Sequence, residues 1–200
     1  MDKEKSDQII ITAQKRFGVY GLEKTSMQEI ANDLGLSKAS IYYYFPDKES
    51  LYRAVIQKEQ AEFIRKISEK INNSGDPETI LTEYVRSRLE YFRLLLNLSR
   101  LKYEELTNIK PMLRDLLDSF REEEKSIVSG ILKTGIESGL FVKMNAGSTA
   151  ALFLDLLKGL RVSVVTMKSL LIIDPEEFNI LHDKTMEFTR IFINGIKKQQ

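Results

Sequence analysis

Apolar residues recur every three or four positions along most of the chain, which is the pattern of amphipathic helices. The first such stretch places Ile9, Ala13 and Phe17 on one side and stops at Gly21. Alternation of the kind found in strands is absent over any useful length of the sequence, and only four prolines occur. The pattern predicts an all-α fold with about nine helices.

Capping residues mark where the early helices begin and end. Ser26 and Glu29 have the spacing of a capping box at the start of a second helix, which Gly35 ends. Ser37 is the expected N-cap of a third, short helix. A long fourth helix is predicted to begin at Asp47 and to end in the sequence "NNSGDP".

The later helices are separated by proline and glycine signals. A fifth helix is expected to follow the Asp-Pro pair at 76–77 and to continue to about Asn108. The next helix is predicted over 110–139, where Pro111 lies at its start and a glycine closes it. Residues 145–170 form the most apolar segment, and a last helix is expected over 174–198.

One short region has the spacing of a helix-turn-helix. A small residue, a turn glycine and four apolar residues fall where two crossing helices need them: Ala31, Gly35, Ile30, Leu34, Leu36 and Ile41. Such a motif presents the first residues of its second helix to base edges in the major groove of DNA. Here those residues are Lys38, Ala39 and Ser40.

The sequence "IYYYF" concentrates aromatic residues on this second helix. If Ile41 points inward, Tyr42 and Tyr43 must point more outward. A tyrosine there can donate a hydrogen bond to a phosphate and pack its ring on sugar or a thymine methyl group. The alternative interpretation is a crowded corner of the core in which the tyrosines are simply packed.

Composition limits the cellular compartment and the kinds of partner expected for this protein. The 200 residues carry a net charge of +1 and contain no cysteine, so disulfides are excluded and a reducing, cytoplasmic location is expected. Asp155, Lys158 and Arg161 interrupt the longest apolar run, which argues against a membrane span. Net charge near zero over the first 48 residues predicts modest non-specific affinity for DNA.

Catalytic and metal-binding patterns are missing from the sequence. His182 is the only histidine and has no second ligand at helical spacing. The acidic run Glu122–Glu124 is expected to be a solvated face, and no glycine-rich phosphate loop occurs. The sequence therefore predicts no enzyme activity, no metal site and no cofactor.

The segment "AQKRFGVYGLEKTSMQEIANDLGLSKASIYYYFPDKESL" resembles the amino-terminal pattern of the TetR family of bacterial transcriptional regulators. The resemblance implies a helix-turn-helix domain over 1–46 and a ligand-binding and dimerisation domain over 47–200, with a linking helix at 47–72. It also implies DNA contacts by matching position. These are phosphate contacts from Thr25, Ser26 and Lys48, base contacts from Lys38, Ala39 and Ser40, and groove-wall or phosphate contacts from Tyr42, Tyr43 and Tyr44.

The same resemblance implies a ligand chamber in the carboxy-terminal helices. Candidate lining residues, mostly aromatic or aliphatic, are Phe63, Tyr84, Arg88, Tyr91, Phe92, Leu95, Met112, Leu116, Phe120 and Phe153. A hydrophobic ligand would suit such a lining. A buried arginine such as Arg88 needs a carboxylate, either from a ligand or from Glu90 or Glu104. The alternative is that these residues only fill a core.

The resemblance further implies a homodimer. The segment "AALFLDLLKGLRVSVVTM" is apolar on too much of its circumference for a monomer's surface helix, and the last helix adds further apolar residues. The interface candidates are Leu156, Leu160, Val164, Phe188, Ile191, Phe192 and Gly195. The alternative is a fully buried central helix. Together these features predict a repressor that binds a palindromic double-stranded operator as a homodimer and is released by a small-molecule effector. An activator, or a helical sensor that does not read DNA, remains the alternative.

Overall fold

The structure is a computed structural model that describes residues 2–72, 75–94, 103–165 and 175–199. Over these ranges the chain forms eight helices: α1 Asp2–Lys24, α2 Met27–Asp33, α3 Lys38–Tyr44, α4 Lys48–Asn72, α5 Pro77–Leu94, α6 Tyr103–Glu137, α7 Ala146–Val165 and α8 Pro175–Ile196. The predicted all-α fold is confirmed, with a helix count close to the expected nine.

The predicted caps fix the ends of the short helices. The Ser26 side chain accepts a hydrogen bond from the Glu29 backbone N–H, and the Glu29 carboxylate accepts one from the Ser26 backbone N–H. The Ser37 hydroxyl caps α3 by accepting a hydrogen bond from the Ser40 backbone N–H. Gly35 takes the left-handed conformation, with φ at 64°, so the chain can turn sharply between α2 and α3.

α1 is kinked where the sequence predicted its end. Gly21 has φ 81° and ψ 166°, outside the helical region, and one further turn follows it to Lys24. This kink lets the last residues of α1 approach the beginning of α4, which becomes important for the candidate site.

The predicted boundary between the fifth and sixth helices is wrong. α6 already begins at Tyr103, whereas the sequence placed 103–108 in the preceding helix and started a new one near Lys110. Pro111 lies inside α6 and is exposed, so its missing N–H removes a backbone hydrogen bond without burying an unpaired group. Leu113, next to it, is only 1% exposed, and its burial favours continuation of the helix.

Two hydrophobic clusters divide the described residues. The first joins α1, α2, α3 and the first half of α4, with Phe17 and Tyr52 in edge contact at 5.3 Å between ring centroids. The second contains Phe63 and Ile67 from the other half of α4, together with α5, α6, α7 and α8. α4 therefore belongs to both clusters and connects them.

α6 makes a second connection between the clusters. Leu113, Leu116 and Leu117 pack on the first cluster, and Asp115 pairs with Arg53 of α4. We therefore expect a displacement of α4 or α6 in the second cluster to shift side chains of the first cluster as well.

Candidate functional site

α3 separates its side chains into a buried side and an exposed side. Ile41 is 0% exposed in the first hydrophobic cluster, whereas Tyr42 is 41% and Tyr43 is 78% exposed. Lys38 and Ala39 are exposed as well. One helix thus anchors itself through a single apolar residue and presents a cation and two phenol groups to the surroundings.

Contacts among these side chains partly order the exposed side. The Lys38 ammonium lies 5.6 Å from the centroid of the Tyr42 ring. The rings of Tyr43 and the half-buried Tyr44 meet edge to face at 5.1 Å. The Ser40 backbone N–H donates to the Ser37 hydroxyl, and the two serine hydroxyl oxygens are 2.8 Å apart, so Ser40 helps to cap α3.

The three remaining predicted DNA contacts surround the turn between α1 and α2. Thr25 is 1% exposed, and its hydroxyl donates to the Gly21 carbonyl at 2.8 Å. Ser26 is exposed and engages Glu29. The Lys48 ammonium donates to the carbonyl groups of Leu22 and Glu23, at 2.8 and 3.4 Å.

The bond from Lys48 to the end of α1 was not foreseen in the sequence. A cation is favoured near the carboxyl end of a helix, where backbone carbonyls lack partners. The two partners are 25 and 26 residues from Lys48, however, and no local pattern signals so distant a contact.

An ion-pair cluster also joins α1 to α2. Arg16 donates to Asp33 through two nitrogens and lies 3.3 Å from Glu29. Hydrogen bonds from Arg16 lower the pKa of Asp33, and the bond from the Ser26 backbone lowers the pKa of Glu29. Both carboxylates therefore stay charged and hold α2 in place behind α3.

A cavity of about 410 Å³ lies between α1, α4 and α5. Its lining residues are Gln14, Glu59, Glu62, Phe63, Lys66, Ile67, Lys70, Arg86, Ser87, Glu90 and Tyr91. Two of them, Phe63 and Tyr91, belong to the predicted ligand set. The volume is in the range of small-molecule sites.

Aromatic rings form the inner wall of this cavity, which we call the α1–α4–α5 cavity. Phe63 and Tyr91 have their ring centroids 4.5 Å apart, and Phe120 lies 5.7 Å from Phe63 and 5.8 Å from Tyr91. Burial, aided by the charges of Glu59 and Glu124, raises the pKa of Tyr91, so the phenol stays neutral. Glu59 is 8% exposed and accepts a hydrogen bond from Gln14 of α1 at 3.1 Å.

Behind the rings lies a buried polar cluster centred on Glu124. Tyr84 and Arg88 both donate to Glu124 Oε1, at 2.6 and 2.7 Å. Burial raises the pKa of Tyr84, with the Glu124 charge adding to it. Burial opposes the charge on Arg88, but the Glu124 carboxylate outweighs it and the pKa of Arg88 is raised.

Two expectations about this region are corrected. Among the described residues, the carboxylate partner of Arg88 is Glu124 rather than Glu90, because α6 packs across α5 and turns Glu124 inward. The side chain of Glu104 lies outside the described residues. Glu124 was expected on a solvated face with its two acidic neighbours, yet it is 4% exposed while Glu122 and Glu123 are exposed.

The other predicted ligand residues are scattered. Phe92 lies beneath two guanidinium groups, Leu116 packs on the first hydrophobic cluster, and Phe153 stacks with Phe188 and Phe192. Leu95 lies outside the described residues, and so does the side chain of Met112.

Only some of the predicted dimer residues are exposed on the surface of α7 and α8. Leu156 and Ile191 are 43% and 56% exposed, Gly195 is also exposed, and Leu152, not among the predicted set, is 57% exposed. Leu160, Phe188 and Phe192 are half-buried, and Val164 lies inside the protomer core at 9% exposed. We call Leu152, Leu156, Ile191 and Gly195 the α7–α8 patch.

Two further properties concern only the parts of the chain that the structure describes. No helix there is both long and apolar enough to cross a membrane. Likewise, no three acidic, histidine or cysteine side chains in those parts come together in a way that could hold a metal ion.

Comparison with known proteins places these features in context. Residues 9–55 match the family described as "Bacterial regulatory proteins, tetR family". The "HTH-type transcriptional regulator RutR" of Escherichia coli K12 is 30% identical over 135 residues, which cover 66% of this chain and 63% of RutR. The "Fatty acid metabolism regulator protein" of Bacillus subtilis is 27% identical over 66% of this chain and 68% of its own length.

A solved structure extends the likeness to nearly the whole chain. The transcriptional regulator from Cytophaga hutchinsonii ATCC 33406 is 39% identical, with a TM-score of 0.89 over 97% of this chain and 99% of that one. The matched segment contains α2, α3 and the beginning of α4, whose buried and exposed sides are described above. The chain belongs to the tetR family of bacterial regulatory proteins.

Proposed function

We propose that this protein is a homodimeric transcriptional repressor that binds a two-fold symmetric DNA operator through α3, in the cytoplasm with the DNA. The observation that carries the proposal is the division of α3, in which Ile41 is fully buried while Lys38, Tyr42 and Tyr43 are exposed. Apolar and aromatic side chains exposed on so short a helix are unfavourable in water unless they contact a partner.

Each exposed residue of α3 has a role that its chemistry supports. Lys38 and Ala39 begin the helix, where a helix-turn-helix contacts base edges. Ala39 is small enough to let the helix backbone approach the bases, and Tyr42 and Tyr43 can donate hydrogen bonds to phosphates. Ser26, exposed at the start of α2, can reach a neighbouring phosphate.

Lys48 and Thr25 contribute to this surface by positioning the end of α1. Both hold the end of α1 against its neighbours in the DNA-free protein. A phosphate placed at this junction could receive a hydrogen bond from Lys48 in exchange for one of its two carbonyl bonds.

Dimerisation supplies the second half of the DNA site. The α7–α8 patch is apolar and exposed on two adjacent helices of one protomer. Pairing it with its symmetry mate would bury it and set two α3 helices about one DNA turn apart, as two-fold operators require. In this proposal residues 1–46 are the DNA-binding domain and residues 47–200 the regulatory domain.

The α1–α4–α5 cavity is the proposed effector site. It touches α1 through Gln14 and α4 through Glu59, Phe63 and Ile67, so a ligand there contacts both a helix of the first cluster and side chains of the second. A small, largely apolar molecule that separates α1 from α4 would shift the protein toward a state with wrongly spaced α3 helices. By linkage, effector and operator must weaken each other's binding by the same factor.

A footprint on the DNA upstream of the protein's own gene, across a salt series, tests the proposal. We expect a protected two-fold symmetric site whose affinity falls steeply with salt. Lys38→Ala should weaken binding and reduce the salt dependence by about one counterion, whereas Lys133→Ala, an exposed lysine of α6, should not. A protein without affinity for any duplex at low salt would be a helical sensor of another kind.

A further inference from the structure

A second, much smaller cavity lies between α5, α7 and α8 and measures about 10 Å³. It is lined by Val85, Arg88, Leu89, Phe92, Leu157, Arg161, Leu181 and Thr185. None of these residues lines the α1–α4–α5 cavity. The walls are apolar except for two guanidinium groups and one hydroxyl group.

Arg161 is the unusual member of this lining. Its guanidinium carbon lies 4.5 Å from the centroid of the Phe92 ring, and Arg88 lies 4.6 Å from the same ring. Within the described residues Arg161 has no carboxylate at ion-pair distance. Burial, with the neighbouring charge of Arg88, lowers the pKa of Arg161.

Among the described residues, the charges around Phe92 do not balance. Arg88 and Arg161 contribute two positive charges, and Glu124, the acid that pairs with Arg88, contributes one negative charge. Glu124 also accepts the hydroxyl of Tyr84, so its nearer oxygen is already occupied twice. Arg161 is half-buried, so its charge is partly withdrawn from water without a described counterion, and one negative charge beside it would compensate this cost.

Thr185, from the same lining, supplies an independent sign of a missing ligand. The residue is 2% exposed, and its hydroxyl oxygen has no hydrogen-bond partner among the described residues. Buried hydroxyl groups are nearly always hydrogen-bonded. A threonine hydroxyl and a guanidinium group facing one cavity can both donate to the same small anion.

We propose that Arg161 and Thr185 bind the carboxylate of a small organic acid, whose apolar part packs on Leu157, Leu181 and Val85. This goes beyond the proposed function, which requires an effector but no anion. One unpaired cation and apolar walls favour a monocarboxylate over a more highly charged phosphate. Since the cavity now holds about one water-sized group, the body of the acid must displace side chains as it enters.

The test uses the full-length protein without DNA. Straight-chain monocarboxylates from butanoate to octanoate are compared with primary alcohols of the same length by thermal unfolding and titration calorimetry. We expect the acids, and not the alcohols, to raise Tm as their concentration rises, because ligands that bind only the folded state stabilise it.

Variants assign the effect to the cavity. Arg161→Met and Thr185→Val keep the side-chain volume, and each should weaken acid binding, Arg161→Met by roughly tenfold or more, because it removes a charge-assisted bond. Arg190→Met is the matched control, since Arg190 is exposed on α8 and pairs with Glu187. It should bind the acids as the wild type does.

Two results would overturn the inference. One is that no acid of the series raises Tm more than its alcohol. The other is that Arg161→Met binds the acids as tightly as the wild type. Because no DNA is present, either result leaves operator binding untouched, and a protein that fails to bind an operator can still pass this test.

Discussion

At the residue scale, neighbouring positions of α3 lie in opposite environments. Ile41 is fully buried, and Tyr42, the next residue, is 41% exposed. The buried side chain attaches α3 to the first hydrophobic cluster, while the exposed one is available to a partner. A substitution at one position should therefore change stability and at the other should change binding.

Ile41→Ala and Tyr42→Phe test this division. Ile41→Ala should lower the free energy of unfolding by about 2–5 kcal/mol, because it leaves a cavity in the core. Tyr42→Phe should leave stability unchanged and weaken operator binding about fivefold, the effect of one hydrogen bond. Urea unfolding and fluorescence anisotropy with labelled operator measure the two effects.

The control for this pair is Tyr20→Phe, at an exposed tyrosine of α1 that lies against Arg16. It should change neither stability nor operator binding appreciably. If Tyr42→Phe instead destabilised the fold and left DNA binding intact, the tyrosines of α3 would be packing residues.

At the element scale, the position of α3 depends on how α1 and α4 meet. Lys48, at the start of α4, donates to two carbonyl groups at the end of α1. Gly21 bends α1 so that these carbonyls point toward α4. The contact thus joins the beginning of the long connecting helix to the DNA-binding half.

Lys48→Met should lower the free energy of unfolding by about 1 kcal/mol, since it removes charge-assisted hydrogen bonds of a half-buried group. Lys38→Met, at the exposed start of α3, should leave stability nearly unchanged. Thermal unfolding of both variants measures this difference in stability. Equal stability for Lys48→Met and the wild type would mean that Lys48 contributes through DNA contact alone.

A second connection, between α4 and α6, predicts a dependence on pH. Hydrogen bonds from Arg53 lower the pKa of Asp115 to about 2, below the value of roughly 3.9 for an unfolded aspartate. A carboxyl group with a lowered folded-state pKa stabilises the protein fully above its unfolded pKa, and the contribution disappears as pH falls toward 2.

The Tm difference between wild type and Asp115→Asn should therefore be present at pH 6 and shrink steadily between pH 4 and pH 3. The effect will be small because Asp115 is exposed. Asp118→Asn, an exposed position on the same helix, is the control and should show no such trend. A difference that grows toward acid would contradict the assigned pKa direction.

Many of the helix ends and turns could be predicted from the sequence. The features that could not be predicted share one cause. Local signals placed Ser26, Ser37 and Gly35 correctly, because caps and turns depend on residues a few positions apart. The pairing of Arg88 with Glu124 and of Lys48 with Leu22 depends on how helices pack, which hydrophobic periodicity does not specify. Pro111 misled the boundary of α6 because burial nearby outweighed a local helix-breaking signal.

At the scale of the whole molecule, reading a two-fold symmetric operator requires two copies of the protein. The α7–α8 patch contains Leu152, Leu156 and Ile191, each more than two-fifths exposed in the single chain. We propose that these exposed apolar residues on adjacent helices form the interface between the two copies. A two-fold operator can be read tightly only if the interface keeps both α3 helices at a fixed separation.

Leu156→Glu combined with Ile191→Glu should convert the dimer to a folded monomer, because the substitutions place like charges in the buried interface. Size-exclusion chromatography with light scattering gives the mass, and circular dichroism verifies that the helices persist. Ile11→Glu, at an exposed apolar residue of α1, is the control and should remain dimeric. A double variant that stays dimeric would place the interface elsewhere.

Sequence-specific DNA binding is the central claim, and selection from a random duplex library tests it most directly. Wild-type protein should enrich a two-fold symmetric sequence, with half-sites about one helical turn apart, and should bind it at least about a thousandfold more tightly than unrelated duplex. A variant carrying Tyr42→Ala and Tyr43→Ala should enrich nothing while keeping the wild-type mass and Tm. Failure of the wild type to enrich any sequence, or enrichment by the variant equal to that of the wild type, would contradict the account.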